Sequence, residues 1–228
     1  MGTSLPQEMG ALRLRRSAID PPGGQPLLLD ASAEIGRGVT LLKGANGSGK
    51  STLLRTVVGL HPLRAGTIDF DGVDSRTDRV AFLRNVAYMP QNFASYPGLS
   101  ALSLLVYFLR LRGFRRKQAA RQASYWLRQV GLFDRAGSDT AHLSPGARQR
   151  LGVAYVFQTG APLCILDEPL AGVDSAGRTA MRRILQEEGA ARTILLTSHE
   201  SDDLFNDVNA LQIDAGCLKA ARAPNGSR

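Results

Sequence analysis

Apolar residues along the chain follow two different spacings. Residues 39–43, 86–89, 163–166 and 193–197 are short runs dominated by aliphatic and β-branched side chains, each closed by glycine, proline, serine or a charged residue. Such runs predict strands covered on both faces, because neither side of the strand meets water. Residues 66–70 predict a further strand. Over residues 51–60, 100–130 and 175–188 the apolar positions recur at helical spacing; Pro62 closes the first of these helices and Gly113 interrupts the second. Ser144 and Pro145 open another helix, with a hydroxyl as cap and, at the first helical position, a ring whose missing N–H the helix does not use. Residues 11–19 and 27–35 flank the turn cluster Asp20-Pro21-Pro22-Gly23-Gly24 and predict an antiparallel pair, and a last strand pair flanks Asp214-Ala215-Gly216. Strands alternating with helices predict an α/β fold with a mostly parallel sheet and a ligand at the carboxyl ends of its strands.

One stretch says what that ligand is. Gly44-Ala45-Asn46-Gly47-Ser48-Gly49-Lys50-Ser51 spells G-x-x-x-x-G-K-[ST], between a predicted strand and a predicted helix. Glycines let the backbone turn tightly and aim successive N–H groups inward; Lys50 brings a point charge to the β- and γ-phosphates; Ser51 offers a hydroxyl to Mg²⁺, with Thr52 next on the helix. Far along the chain, Asp167 and Glu168 end an apolar strand. Asp167 can hold Mg²⁺ directly or through water, and Glu168 can orient, or take a proton from, the water that attacks the γ-phosphate. Gln91 follows another strand with an amide able to reach the Mg²⁺ or that water. His199 stands just past the last core strand with a ring able to hydrogen-bond a γ-phosphate oxygen. ATP with Mg²⁺ is the ligand these residues predict, and His61 and His142 have no part in it.

Composition adds limits. The 228 residues suit one α/β domain, and 43% hydrophobic residues is ordinary for a globular protein. No apolar run approaches the roughly 18–20 residues of a membrane span; the best, residues 101–111, contains Arg110. The first ten residues carry Glu8 and no apolar core, so the expected location is the cytosol. Cys164 and Cys217 match no metal or disulfide pattern and are expected to be structural. The formal net charge is +8, and with only four lysines the excess is arginine, densest over residues 110–128. That patch predicts solvated helix faces, an anionic lipid surface or a partner protein.

Taken in order, the phosphate loop, Gln91 in Tyr88-Met89-Pro90-Gln91, Leu143-Ser144-Pro145-Gly146-Ala147, Leu166-Asp167-Glu168-Pro169, Asp174 and His199 give the chain its likeness to known proteins. Over residues 12–221 it is similar to the ATP-binding subunits of ABC transporters. The resemblance implies a phosphate-loop NTPase of the ABC ATPase type, a single domain over residues 1–228. Its core spans about 11–91 and 160–222 and includes an antiparallel β-subdomain, and a helical subdomain spans 92–159. It implies that two such domains, as a homodimer or a heterodimer, sandwich two ATP. Each nucleotide would then be held by one subunit's phosphate loop and by Ser144 and Gly146 of the other subunit, with Asp174 a further nucleotide-binding residue of the motif set. It implies a membrane-spanning permease as partner, gripped by the segment after Gln91, and a place on the inner face of the cell membrane. The wording of residues 143–174 is most like exporter ATPases whose membrane subunit is a separate chain. The basic balance suggests a further, less favoured reading, a nucleic-acid-linked ATPase of the same superfamily; against it, no long heptad insertion and no second ATPase domain occur, and no nucleic-acid partner is expected.

Three departures accompany the likeness. Pro145 stands where the family has glycine and removes a backbone donor; Ala147 stands where it has glutamine and removes a side-chain amide. If a buried charge-assisted bond is lost, contacts across the sandwich weaken by about 1–3 kcal/mol. No Phe, Tyr or Trp precedes Phe70, so adenine lacks its usual stacking ring, and Ile19, Pro21 or a neighbouring aliphatic side chain is expected to cover it. These departures leave open a second reading, a degenerate half of a heterodimer that binds nucleotide without hydrolysing it.

Overall fold

A computed structural model describes residues 10–20, 27–198, 208–214 and 216–221. Strands β1 (Leu12–Ile19) and β2 (Leu28–Ile35) pair antiparallel as expected. Strand β3 (Gly38–Lys43) runs into the glycine loop, and α1 (Lys50–Val57) begins at its lysine. Helix α1 stops short of the predicted residue 60 because Gly59 takes the left-handed conformation (φ 71°) and the Leu60 N–H turns back to the Arg55 carbonyl. Strands β4 (Ala65–Phe70) and β5 (Val73–Asp74) follow. Helix α2 (Arg79–Arg84), capped by the Asp78 carboxylate, leads into β6 (Val86–Met89). Both β5 and α2 escape sequence reasoning, being shorter than any periodic pattern.

The long helical stretch divides as predicted, into α3 (Ala101–Leu111) and α4 (Arg116–Gln129), with Gly113 at φ 89° in the turn. Helix α5 (Pro145–Gln158) starts at its expected cap, where Ser144 Oγ accepts from the Ala147 N–H. Then come β7 (Leu163–Leu166), α6 (Ser175–Gly189), β8 (Thr193–Thr197), β9 (Asn209–Asp214) and β10 (Cys217–Ala221).

Six strands form one sheet in the order β10-β9-β3-β8-β7-β6, parallel except where β10 meets β9; β2-β1-β4-β5 form an antiparallel sheet. Register aligns Met89, Leu166, Leu196 and Leu41 across four neighbouring parallel strands. The residues that follow these positions therefore emerge along one sheet edge.

Both faces of the large sheet are covered. Along β7, Cys164 and Leu166 pack into a cluster with Leu104, Trp126 and Phe157 of the helices, while Leu163 and Ile165 pack with Leu53 of α1 and Leu12 and Phe70 of the antiparallel sheet. Each fully buried aliphatic side chain contributes about 1.5–3 kcal/mol, which is why the parallel strands are continuous in apolar residues. Burial pushes the Cys164 thiol up to about 12, and it is an inert core group. Cys217 is exposed, contrary to the expected structural role.

Candidate functional site

The phosphate loop is tied to itself by hydrogen bonds and tight turns. Gly47 and Gly49 have φ of 77° and 95°, values that cost an L side chain energy. A side chain at Gly44 would strike Ser48 Oγ, and one at Gly49 would strike the Leu27 side chain. Ser48 N–H donates to the Ala45 carbonyl (3.1 Å), and Lys50, 6% exposed, donates from Nζ to the carbonyls of Gly44 (2.8 Å) and Ala45 (3.1 Å). The loop is thus pre-shaped, with its charge beside its own backbone. Ser48 Oγ is buried with no hydrogen-bond partner among the described residues.

Asp167 and Glu168 leave the end of β7 beside this loop. Asp167 is fully buried; its N–H donates to the Met89 carbonyl (2.9 Å), and its Oδ1 accepts from Ser51 Oγ (3.1 Å) and Thr197 Oγ1 (2.8 Å). Its Oδ2 is buried without a partner among the described residues. Burying an unpaired carboxylate oxygen is costly, so this atom fits a cation, and Ser51 Oγ, the Gln91 amide and Asp167 form an all-oxygen donor set of the hard type that suits Mg²⁺. Glu168, 5% exposed, holds a left-handed φ of 53°, and its N–H donates to Thr197 Oγ1 (2.9 Å). One threonine hydroxyl therefore ties the two acidic residues together.

A cleft of about 440 Å³ is lined by Leu27, Asn46, Lys50, Ser51, Gln91 and Glu168, with Gly47, Gly49 and Thr52. The phosphate loop, Gln91 and Glu168 are thus brought together as the sequence predicts. Ser144, Gly146 and Asp174 are not among the residues lining this cleft. Ser144 is exposed and caps α5. Gly146 lets the first turn of α5 approach the Gly172 carbonyl, which a methyl group there would meet at 2.4 Å. Asp174 caps α6, accepting from the Gly177 N–H (2.7 Å). His199 lies outside the described residues. Of the side chains expected over adenine, Ile19 is fully buried in the core and cannot cover the ring; Pro21 lies outside the described residues. Leu27 is the aliphatic side chain that reaches the cleft.

Two contributors were invisible to sequence reasoning. Thr197 looks like an ordinary β-branched strand residue, and only its position beside β7 makes its hydroxyl a clamp. Gln149, 7% exposed on α5, donates from Nε2 to the carbonyls of Gln91 (2.7 Å) and Glu168 (3.2 Å), linking the helix that begins at Ser144 to both sides of the cleft. Two facing acceptors require the nitrogen, not the oxygen, of this amide there. Gln149→Leu is expected to lower unfolding free energy by about 1–3 kcal/mol, the cost of leaving carbonyls unpaired, measured by chemical denaturation. Turnover should fall more than nucleotide affinity, because Gln91 and Glu168 lose their tie while the phosphate loop keeps its own; an equal fall in both would refute this.

A second cavity, about 640 Å³, lies between α2, the end of α3 and the end of α5, and is lined by Val80, Leu83, Arg84, Leu111, Arg112 and Phe114. Its lining combines apolar side chains with two arginines.

Compared with known proteins, residues 28–171 match the family model described as ABC transporter. The human phospholipid-transporting ATPase ABCA3 is 32% identical over 171 residues, which cover 74% of this chain and 10% of that protein. ATP-binding cassette sub-family A member 17 of Rattus norvegicus is 32% identical over 199 residues, covering 86% of this chain and 11% of that protein. The chain spans about a tenth of the length of these curated relatives. A solved structure described as the ATP-binding subunit of an ABC transporter superposes with a TM-score of 0.83 at 27% identity, covering 92% of this chain and 88% of that one.

Proposed function

The chain belongs to the ABC transporter family of ATPases, and on that premise we propose that it binds and hydrolyses Mg-ATP to drive a separate membrane-spanning permease, in the direction of export. In this reading Lys50 and the N–H groups of residues 44–51 hold the β- and γ-phosphates, while Ser51, Asp167 and Gln91 hold Mg²⁺ together with phosphate oxygens. When bound, the metal neutralises charge on the phosphates. Glu168 takes the proton of the attacking water, His199 hydrogen-bonds the γ-phosphate, and Leu27 lies against the base. The observation that carries the reading is the Asp167 carboxylate, with one oxygen shared by Ser51 and Thr197 and the other buried beside the phosphate loop without a partner among the described residues.

The same reading divides the single domain into a core, residues 11–91 and 160–222, and a helical subdomain, residues 92–159. Ser144 and Gly146, at the start of α5, and Asp174 near it, face the nucleotide of a second ATP-binding subunit. ATP then joins two subunits and its cleavage releases them. With its permease in vesicles, the chain is expected to turn over Mg-ATP faster than alone. Failure of Mg-ATP to bind in equilibrium dialysis, with or without the permease, would overturn the assignment.

Pro145 and Ala147 favour one second reading. Both stand where the family offers a donor to the partner's nucleotide, so a chain that turns over ATP only beside a different ATP-binding subunit is the degenerate half of a heterodimer.

A further inference from the structure

The net positive charge of this protein comes from one stretch of the chain. Residues 79–133 contain nine arginines and lysines and no aspartate or glutamate. The whole chain has a net charge of +8, so this stretch at +9 accounts for all of it, and the other 173 residues sum to −1. Five of the nine cations fall within residues 110–117, which span the end of α3, the turn after it and the start of α4. None of the nine enters an ion pair among the described residues, although acids pair with Arg13, Arg15, Arg64, Arg183 and Arg192 elsewhere. The nucleotide cleft does not explain the excess, because its one cation, Lys50, lies outside the stretch.

Apolar exposure concentrates in the same place. Eight large hydrophobic side chains are exposed among the described residues, and six of them, Val80, Tyr96, Tyr107, Leu111, Tyr125 and Phe133, belong to residues 79–133. Leu111, the last residue of α3, is 67% exposed beside the cationic turn, whose shape is held by Arg110 donating to the Phe114 carbonyl (2.7 Å). Arg115, Arg116, Lys117 and Arg121 are exposed along the start of α4, whose opposite face, Ala119, Ala123, Trp126 and Leu127, is buried in the core.

We infer that the α3–α4 turn and the outer face of α4 bind the surface of a bilayer containing anionic phospholipid. Guanidinium groups match phosphate esters with paired hydrogen bonds, and clustered cations on a helix are drawn to an acidic leaflet within a Debye length. Leucine and tyrosine among those cations suit the boundary between headgroups and acyl chains, where an amphipathic ring or an aliphatic tip has both environments within reach. The choice of a bilayer over other polyanions rests on the proposed role beside a membrane permease. The surface would hold the helical lobe against the membrane and set the orientation in which the permease is met.

The test uses the full chain and sedimentable vesicles of phosphatidylcholine alone or with about a quarter phosphatidylserine. The chain is expected to pellet with the acidic vesicles at low salt, to leave them at about 0.5 M salt, and to ignore the neutral ones. The combined variant Arg115→Glu, Arg116→Glu, Lys117→Glu and Arg121→Glu should bind acidic vesicles at least about tenfold more weakly, with affinity for Mg-ATP unchanged as the check that it folds. Should it misfold, Arg115→Ala with Lys117→Ala gives the same comparison with a smaller loss. Equal binding to both vesicle types, variants that bind like the parent, or binding to nucleic acid or an acidic peptide without binding to acidic vesicles would each overturn the inference. A chain that binds Mg-ATP and no vesicle sinks this inference alone; one that binds acidic vesicles and not Mg-ATP sinks the ATPase assignment alone.

Discussion

Replacing Glu168 by glutamine is expected to lower ATP turnover at least about a hundredfold, the usual range for a general base being 10²–10⁴, while Mg-ATP still binds. The substitution separates chemistry from architecture. Glutamine is nearly the same size and meets the same backbone requirement at φ 53°, and the backbone ties of residue 168, its N–H to Thr197 Oγ1 and its carbonyl from Gln149 Nε2 and the Ala171 N–H, do not involve the side chain. What changes is the ability to take a proton. Binding retained with turnover lost should also prolong the paired state, because uncleaved ATP continues to bridge the two subunits; sedimentation in Mg-ATP reads this as a larger dimer fraction. Turnover equal to that of the parent would remove Glu168 from the reaction and leave Gln91 and His199 as the groups to test.

Lys50→Ala is expected to act on binding instead. The Lys50 ammonium donates to the Gly44 and Ala45 carbonyls, so the loop's own backbone holds it at the phosphate loop. Its removal costs a charge-assisted bond to the phosphates, about 1.5–3 kcal/mol, and this corresponds to a dissociation constant roughly ten- to a hundredfold higher. Gly44 is half-buried and Ala45 exposed, so water reaches this part of the loop and the fold should tolerate the change better than the site does. Equilibrium dialysis at several nucleotide concentrations measures this, and an unchanged dissociation constant would show that the loop binds something other than a polyphosphate. Together the two variants distinguish a site that holds ATP from one that also cleaves it.

Much of this protein is legible in one dimension because its requirements act over a few residues. The glycines at 47 and 49 are demanded by the local backbone, Lys50 and Ser51 by their distance from it, and the paired acids by the strand they end. The cap at Ser144, the break at Gly113 and the apolar runs of the parallel strands are equally local, and the structure has each of them where the pattern put it. His199 remains a sequence assignment, lying outside the described residues. Short elements such as α2 were not legible, since six residues make less than two helical turns and carry no period.

What the tertiary structure decided is pairing between residues far apart in the chain. Loop closure brings β3 between β8 and β9, and β7 between β6 and β8, for reasons spread over the whole core, and no local pattern encodes that order. Only that order turns Thr197 into the hydroxyl that joins Asp167 to Glu168, and only the packing of α5 makes Gln149 a tie between Gln91 and Glu168. It also takes Ile19 into the core and brings Leu27 to the cleft in its place. The sequence determined which chemical groups this protein has to offer a nucleotide, because those depend on residue type and near neighbours; the tertiary structure decided which are held fast, buried or exposed, because that depends on distances the chain closes only by folding.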